Sequence, residues 1–206
     1  MYLLSKAYLE GFYYKPRIDL DLLTKHNEGL ITTSGCLSSL VCRRILGGEL
    51  DTAWRLAEEL STTFKDRYYL ELQRHGIPEQ DQVNAELLKM HSDLGLPLLA
   101  TNDAHYLEGC DHDHHDALLC IGTAANLDDK HRFRFDGHGL YVKSGAEMLE
   151  VFHDHPSAVH NSMEIAERCN LDFDMDTYHM PEFQVPANMT REEVLDRDAW
   201  AGLRAR

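Results

Sequence analysis

The 206-residue chain lacks the features that mark several specialised classes of protein. No run approaches about 18 uninterrupted apolar residues, so the sequence predicts no transmembrane helix and no membrane partner. The opening MYLLSKAYLEGFYYKPR has neither the apolar core nor the cleavage site of a signal peptide. Its five cysteines include no C-x-x-C pair, which favours reduced thiols and a cytoplasmic location. It also contains no glycine-rich phosphate loop and no G-x-S-x-G motif.

Positive charge is scarce as well. The chain has 20 Lys and Arg against 35 Asp and Glu, a formal net charge of -15. Proteins that bind phosphate backbones by themselves usually present a basic surface, because Lys and Arg displace the counterions of the nucleic acid. We therefore do not expect this chain to bind DNA alone. Its hydrophobic content of 43% is typical of a packed globular domain.

The first half of the chain repeats an order of strand, loop and helix. Short apolar or alternating runs predict strands at 29–33, 68–73 and 98–101. Apolar residues at helical spacing predict helices at 49–64 and 79–94. Strands that alternate with helices of this length predict parallel βαβ units, in an open sheet or a barrel. The fold class is therefore predicted to be α/β.

The second half of the chain reads mainly as helices. Three are predicted, at 112–121, 146–152 and 161–169. The segment MPEFQVP (180–186) has two prolines and predicts an extended linker. Thr190 and Glu193 have the spacing of a capping box, so a further helix is predicted to begin there.

Side chains that can bind metals follow each of the three predicted strands. Cys36 follows the first, His75 the second, and Asp103 and His105 the third. Because the carboxyl ends of parallel strands meet at one edge of a sheet, we expect these side chains to lie near one another. Thiolate and imidazole suit zinc, and carboxylate adds oxygen ligation. In extended backbone, Asp103 and His105 would point the same way.

Plainer interpretations of these residues stay open. Cys36 could be a small buried side chain, and the residues after the other two strands could be ordinary turn residues. The chain has thirteen histidines, and two further tracts, 112–116 and 153–155, also contain several. On a helix such residues spread around the axis, so both tracts are interpreted as surface.

Several longer stretches resemble a known family. In chain order they are EGFYYKPRID (10–19), EGLITTSGCL (28–37), YYLELQRHGIPEQDQVN (68–84), GLPLLATNDAHYL (95–107), HDALLCIGT (115–123) and NSMEIAERCN (161–170). Together they resemble the C-terminal part of the PHP (polymerase and histidinol phosphatase) domain in bacterial C-family replicative polymerases, the DNA polymerase III alpha subunits. The resemblance runs along nearly the whole chain, in order and without large gaps.

The resemblance implies a partial, distorted (β/α)7 PHP barrel followed by the start of the polymerase core. Residues 1–180 would be the PHP domain without its N-terminal strands. Residues 181–206 would be a linker and a first helix leading toward the polymerase palm. The family's opening His-x-His and Asp-His motifs are expected before Met1, and the palm aspartates after Arg206, so none of the polymerase aspartates is expected within this chain.

The resemblance also implies which residues form the metal site. Cys36 of the SGC element, with Asp103 and His105 of the NDxHY element, would be ligands for Zn²⁺ or Mn²⁺. His75, in the LELQxHG stretch, would be a neighbour of the site rather than a ligand. The Mg²⁺ ions of the polymerase site would bind outside this chain.

The implied function belongs to the intact subunit, a DNA-directed DNA polymerase (nucleotidyltransferase) that carries out template-directed synthesis. Its partners would be primer–template DNA, dNTPs, a sliding clamp, a clamp loader and an exonuclease subunit. The part covered here would contribute 3′–5′ exonuclease activity or a structural metal, and we expect it to be inactive alone. The alternative is a stand-alone PHP-type, metal-dependent phosphoesterase.

Overall fold

The computed structural model describes residues 1–135 and 137–206 and divides them into two compact units. The first unit is Met1–Cys169 and the second is Asn170–Arg206. Among the described residues, no helix is long and apolar enough to cross a membrane. The predicted domain boundary at residue 180 stays a prediction.

The first unit is built from helices around a small sheet. Its helices are α1 (Tyr2–Leu9), α2 (Leu20–Lys25), α3 (Leu40–Leu46), α4 (Leu50–Phe64), α5 (Pro78–Leu94), α6 (His112–Thr123), α7 (Gly145–Val151) and α8 (Pro156–Arg168). Its strands are β1 (Thr32–Thr33), β2 (Tyr68–Leu72) and β3 (Leu98–Ala100). The second unit contains α9 (Arg191–Ala205).

The three strands form one parallel sheet in the order β1-β2-β3. Thr33 pairs with Tyr69, and Leu72 pairs with Ala100. The prediction of an α/β fold with parallel strands is therefore confirmed. Each predicted strand segment contains an observed strand, and α4 and α5 lie between them in the chain as predicted.

The first strand is shorter than its sequence pattern predicts. A turn occupies residues 27–30 instead, closed by the Leu30 amide, which donates to the Asn27 carbonyl at 3.1 Å. The Arg67 guanidinium donates to both the Asn27 and Leu30 carbonyls at 2.6 Å and fixes that turn. The contact with Arg67, which is distant in sequence, therefore keeps residues 29–31 from joining the strand.

Strand β2 lies at the centre of the core. Its Tyr68, Leu70 and Leu72 are fully buried. The faces of α4 and α5 that pack near it carry the predicted apolar stripes, and these buried residues are Ala53, Ala57, Phe64, Val83, Leu87 and Met90. Complete burial of a large apolar side chain contributes about 1.5–3 kcal/mol, so this cluster supplies much of the stability of the first unit.

Two helices in the second half show where local pattern and structure agree or differ. Helix α8 begins at Pro156, five residues before the predicted start at 161, with proline at its first helical position. Met163 is 64% exposed, and the buried face of α8 carries Ala158. In the second unit, the Thr190–Glu193 capping box is present as predicted.

Candidate metal site at the strand ends

The Glu71 carboxylate connects the three strands near their carboxyl ends through hydrogen bonds. Thr33 of β1 donates a hydrogen bond to Glu71 of β2 at 2.6 Å, and Thr101, just after β3, donates to the other carboxylate oxygen at 2.6 Å. The Gln73 side-chain amide also donates to Glu71, at 3.1 Å. Sequence analysis missed Glu71, although a charged residue inside the apolar run YYLEL was a signal that could have found it.

Cys36 lies on the turn that follows β1. The turn starts at Ser34, whose amide donates to the Tyr69 carbonyl and whose hydroxyl accepts from the Glu71 amide, both at 2.8 Å. Cys36 is exposed, and its Sγ lies 3.1 Å from the Ser38 hydroxyl oxygen. The interpretation of Cys36 as a small buried side chain is therefore wrong. Cys42, on the helix that follows, is buried, and desolvation raises the pKa of its thiol.

A cavity of about 10 Å³ lies beside Cys36, roughly the space of one water-sized sphere. Its lining includes Cys36, Glu71 and Gln73. The Cys36 and Glu71 side chains thus line one small space near the strand ends.

His75 is buried and uses both ring nitrogens in hydrogen bonds. Its Nδ1 accepts from the Gln80 side-chain amide at 2.8 Å, and its Nε2–H donates to the Asn102 carbonyl at 2.9 Å. Gly137 packs against it so closely that an added Cβ would come within 2.6 Å of the His75 carbonyl oxygen. With no ring nitrogen left for a metal, His75 connects the end of β2 to the loop after β3.

Asp103 and His105 form a turn rather than the extended segment that we predicted. Asp103 has a φ of 36°, in the left-handed region, which costs a non-glycine residue about 1–3 kcal/mol. The His105 Nδ1–H donates to the Asp103 carbonyl at 2.8 Å, and the same nitrogen lies 3.9 Å from the Asp103 carboxylate. A histidine held in this way through Nδ1 presents Nε2 for coordination.

The segment after Gly139 holds this turn in place. The Asn102 side chain donates to the Tyr141 carbonyl at 2.6 Å and accepts from the Lys143 ammonium at 3.0 Å. The His105 amide donates to the Leu140 carbonyl at 2.7 Å. Desolvation lowers the pKa of Lys143. The conformation of the NDxHY element therefore depends on residues about 40 positions further along the chain.

Histidines and aromatic rings surround His105. Its ring centroid lies 4.8 Å from that of Phe135 and 5.5 Å from that of His115. Desolvation, followed by the neighbouring His105, lowers the pKa of His115. Our interpretation of tract 112–116 as surface is right for Asp113 and His114 and wrong for His115, because α6 turns that ring toward His105.

Asp116, at the end of the same tract, is also hydrogen-bonded. Asp116 accepts two hydrogen bonds from the Arg132 guanidinium, both at 2.5 Å, and these bonds lower the pKa of the carboxyl. Asp116 is therefore already paired and is a poor candidate for an additional metal ligand.

The described residues supply suitable donors for a metal but not a complete set. Among them, no three His, Cys, Asp or Glu side chains come close enough together to hold a metal ion. Asp103 and His105 form a pair, whereas Cys36 lies beside Glu71 at the small cavity. The thiolate, imidazole and carboxylate donors fit zinc or manganese by type. Any ion bound here would need further ligands.

Comparison with known proteins shows which protein family the chain resembles. Residues 1–75 match the PHP domain model. The chain is 43% identical over 208 residues to the DNA polymerase III subunit alpha of Borreliella burgdorferi, a match that covers 99% of this chain and 18% of that protein. The protein of the same name from Thermus aquaticus is 41% identical over 210 residues, covering 98% of this chain and 17% of that protein.

The chain is thus similar to DNA polymerase III alpha subunits along nearly its whole length, and its residues 1–75 match the PHP domain. A third relative, from Treponema pallidum, is 40% identical over 194 residues, which is 94% of this chain and 17% of that alpha subunit. The predicted resemblance is thereby confirmed along nearly the whole chain. The chain spans less than a fifth of the length of these alpha subunits.

Proposed function

We propose that this chain forms the PHP metal-site region of a replicative DNA polymerase alpha subunit. The observation that carries the proposal is the turn at Asp103, where a strained aspartate carbonyl holds the His105 Nδ1 and leaves Nε2 for a ligand. Strained backbone of this kind is found where the surrounding structure fixes a functional geometry. Identity to alpha subunits along 99% of the chain supports this function over the stand-alone phosphoesterase.

The activity of the whole protein is part of the proposal. The intact subunit would be a DNA-directed DNA polymerase that extends a primer along a template from dNTPs, with Mg²⁺ at a separate site. Its partners would include a sliding clamp, a clamp loader and an exonuclease subunit. Within it, the strands described here would belong to a larger (β/α)7 barrel. The cytoplasmic location predicted from the sequence stays a prediction.

The residues at the strand ends would have distinct roles. His105 would coordinate through Nε2, and the adjacent Asp103 would add an oxygen ligand. Cys36 would approach from the turn after β1. His75 would position the loop after β3 through the Asn102 carbonyl, without coordinating. Zn²⁺ or Mn²⁺ bound there would supply Lewis-acid chemistry toward a phosphodiester.

The PHP site could serve in 3′–5′ exonuclease activity or as a structural metal centre, and one variant separates these roles. We would replace Asp103 with Asn in the intact alpha subunit and measure bound metal by mass spectrometry and exonuclease activity on a labelled primer. The matched control is Asp113→Asn, because the Asp113 side chain is 97% exposed on α6 and makes no contact with the Asp103 turn.

The exonuclease role predicts that Asp103→Asn reduces both bound metal and exonuclease rate at least tenfold, while Asp113→Asn changes neither. A loss of metal accompanied by a lower melting temperature and an unchanged nuclease rate would assign the metal a structural role. Unchanged metal content and unchanged metal-dependent activity in Asp103→Asn would contradict both roles for this aspartate.

A further inference from the structure

Residues 1–18 are unusually rich in exposed aromatic rings. Five occur in this short stretch, each between 52% and 83% exposed: Tyr2, Tyr8, Phe12, Tyr13 and Tyr14. Exposed aromatic side chains at this density are uncommon on a surface that contacts only water, because each leaves a large apolar area unburied. The segment therefore has the composition of a contact surface.

The rings contact one another and a neighbouring cation. The rings of Tyr8 and Phe12 are stacked with centroids 6.4 Å apart, and those of Tyr13 and Tyr14 meet edge to face at 4.7 Å. The Arg17 guanidinium lies over the Tyr13 ring, 5.1 Å from its centroid. A cation beside an exposed ring combines stacking and charge in one place.

The backbone holds this arrangement at some cost. Gly11 packs so closely on the Arg17 carbonyl that an added Cβ would lie 2.0 Å from its oxygen. The Tyr13 amide donates to the Lys15 carbonyl at 3.1 Å, and Tyr14 at the tip of the turn has a φ of 58°. A left-handed conformation is rare for a bulky aromatic residue. The left-handed conformation of Tyr14 therefore costs free energy. Because the Tyr14 ring is exposed, no buried contact of that ring offsets the cost.

The charge of this segment is opposite to that of the chain. Residues 1–18 contain three cationic side chains, Lys6, Lys15 and Arg17, and one carboxylate, Glu10. Their net charge is +2, within a chain whose net charge is -15. The segment that carries the exposed rings therefore also carries a local positive charge that could attract a polyanion.

We propose that residues 1–18 bind single-stranded DNA, with bases stacked on the aromatic rings and phosphates near the cations. Sequence-tolerant binding of single strands combines these two features. The inference rests on the proposed function only in taking DNA as the nucleic acid. It departs from the expectation, drawn from the net charge of the whole chain, that the chain does not bind DNA alone.

The test measures the binding of fluorescein-labelled oligothymidylate to the 206-residue chain by fluorescence anisotropy at low salt. The double variant Phe12→Leu/Tyr13→Leu keeps the charge and apolar character but removes two rings, and should weaken binding about tenfold. With three cations near phosphates, the logarithm of the affinity should fall with the logarithm of the salt concentration with a slope of about -2. A duplex of the same length should bind more weakly, because its bases are already stacked.

The matched control is Tyr178→Leu, which removes a ring that is 91% exposed in the second unit, among acidic neighbours. This variant should bind oligothymidylate as the parent does. Equal loss in both variants, no binding by the parent chain, or equal affinity for duplex would each overturn the proposal. Equal affinity for duplex would indicate attraction by charge alone. No binding by the parent chain would leave the rings as a contact surface for another protein.

A second measurement does not depend on the variants folding. Photocrosslinking of the parent chain to a bromodeoxyuridine oligonucleotide, followed by peptide mapping, should label the peptide that contains residues 7–15. Labelling elsewhere would contradict the proposed surface. Failure of the proposed function is distinguishable, because it would appear as unchanged metal content and nuclease rate in Asp103→Asn, a position outside residues 1–18.

Discussion

At the scale of single residues, Glu71 is hydrogen-bonded to side chains on or just after all three strands. It accepts hydrogen bonds from Thr33, Gln73 and Thr101, which come from or follow three different strands. A half-buried carboxylate with all of its partners in place holds strand ends in register, whereas the same network with one partner missing leaves polar groups unsatisfied. Glu71 therefore supports the geometry of the candidate site without being one of its predicted ligands.

Glu71→Gln should lower the free energy of unfolding by about 1–3 kcal/mol, because the new amide group would face hydroxyl and amide donors where a carboxylate accepted from them. Urea denaturation monitored by circular dichroism measures this change. The control is Glu58→Gln on the exposed face of α4, which should change stability by less than about 0.5 kcal/mol. Equal effects of the two substitutions would show that the network at the strand ends adds no stability.

The ion pair between Arg74 and Asp154 predicts a pH dependence. Arg74 donates two hydrogen bonds to the Asp154 carboxylate, at 2.7 and 2.8 Å, and these lower the pKa of that carboxyl to about 2. The folded pKa lies below the unfolded value, so the stabilisation is present above about pH 4 and is lost as the pH falls toward 2. Because Asp154 is 43% exposed, solvent screening limits the contribution to about 1 kcal/mol or less.

Asp154→Asn should therefore be less stable than the parent at neutral pH, and the difference should shrink as the pH falls from about 4 to 2. Urea denaturation at a series of pH values measures both curves. Asp93→Asn serves as control, because that side chain is exposed on α5. A difference that stays constant over the whole range would rule out a contribution from the ionised pair.

At the scale of elements, the start of α7 matters because it lies next to the segment that fixes the Asn102 side chain. Ser144 is the N-cap, and its hydroxyl and amide exchange hydrogen bonds with Glu147 in a capping box. The Tyr141 hydroxyl donates to the same glutamate at 2.9 Å. The helix start is thereby connected to the residues that hold the NDxHY turn.

Ser144→Ala should cost about 1 kcal/mol of stability, because the Glu147 amide loses its acceptor, and Ser144→Thr should restore most of it. The comparison is Ser162→Ala within α8, where alanine is the better helix former and stability should stay the same or rise slightly. Chemical denaturation of the three variants measures these changes. A larger loss from Ser162→Ala than from Ser144→Ala would contradict the assigned cap.

At the scale of the whole molecule, the core residues belong to the first unit, and the segment that opens the second unit carries exposed apolar side chains. Residues 171–180 contain neither helix nor strand, and Leu171, Phe173 and Tyr178 are exposed. Exposed segments without regular hydrogen bonds are the preferred sites of proteolysis.

Limited chymotrypsin digestion should therefore cut at Phe173 or Tyr178 well before it cuts inside the core, which mass spectrometry of the fragments would identify. Phe64 and Tyr68 provide the internal comparison, because both are fully buried and should be cut only after unfolding. An early cut at either of these core residues would contradict the burial of the first unit.

The sequence by itself determined those features that depend on neighbours along the chain. The apolar stripes of α4 and α5, the Gly95 stop after α5 and the Thr190 cap follow from local spacing and backbone preference. The strand–helix alternation gave the α/β class, and the motifs gave the family. The roles of Cys36 and Asp103 as ligands stay predictions.

Only the tertiary structure decided how residues distant in sequence meet. The convergence on Glu71, the hydrogen bond from the His75 Nε2 and the left-handed turn at Asp103 depend on contacts that cross 27 residues or more. The sequence around a residue does not indicate which distant residue it will contact. For that reason the sequence predicted which residues follow the strands, whereas the structure decided which of them are free to bind a ligand.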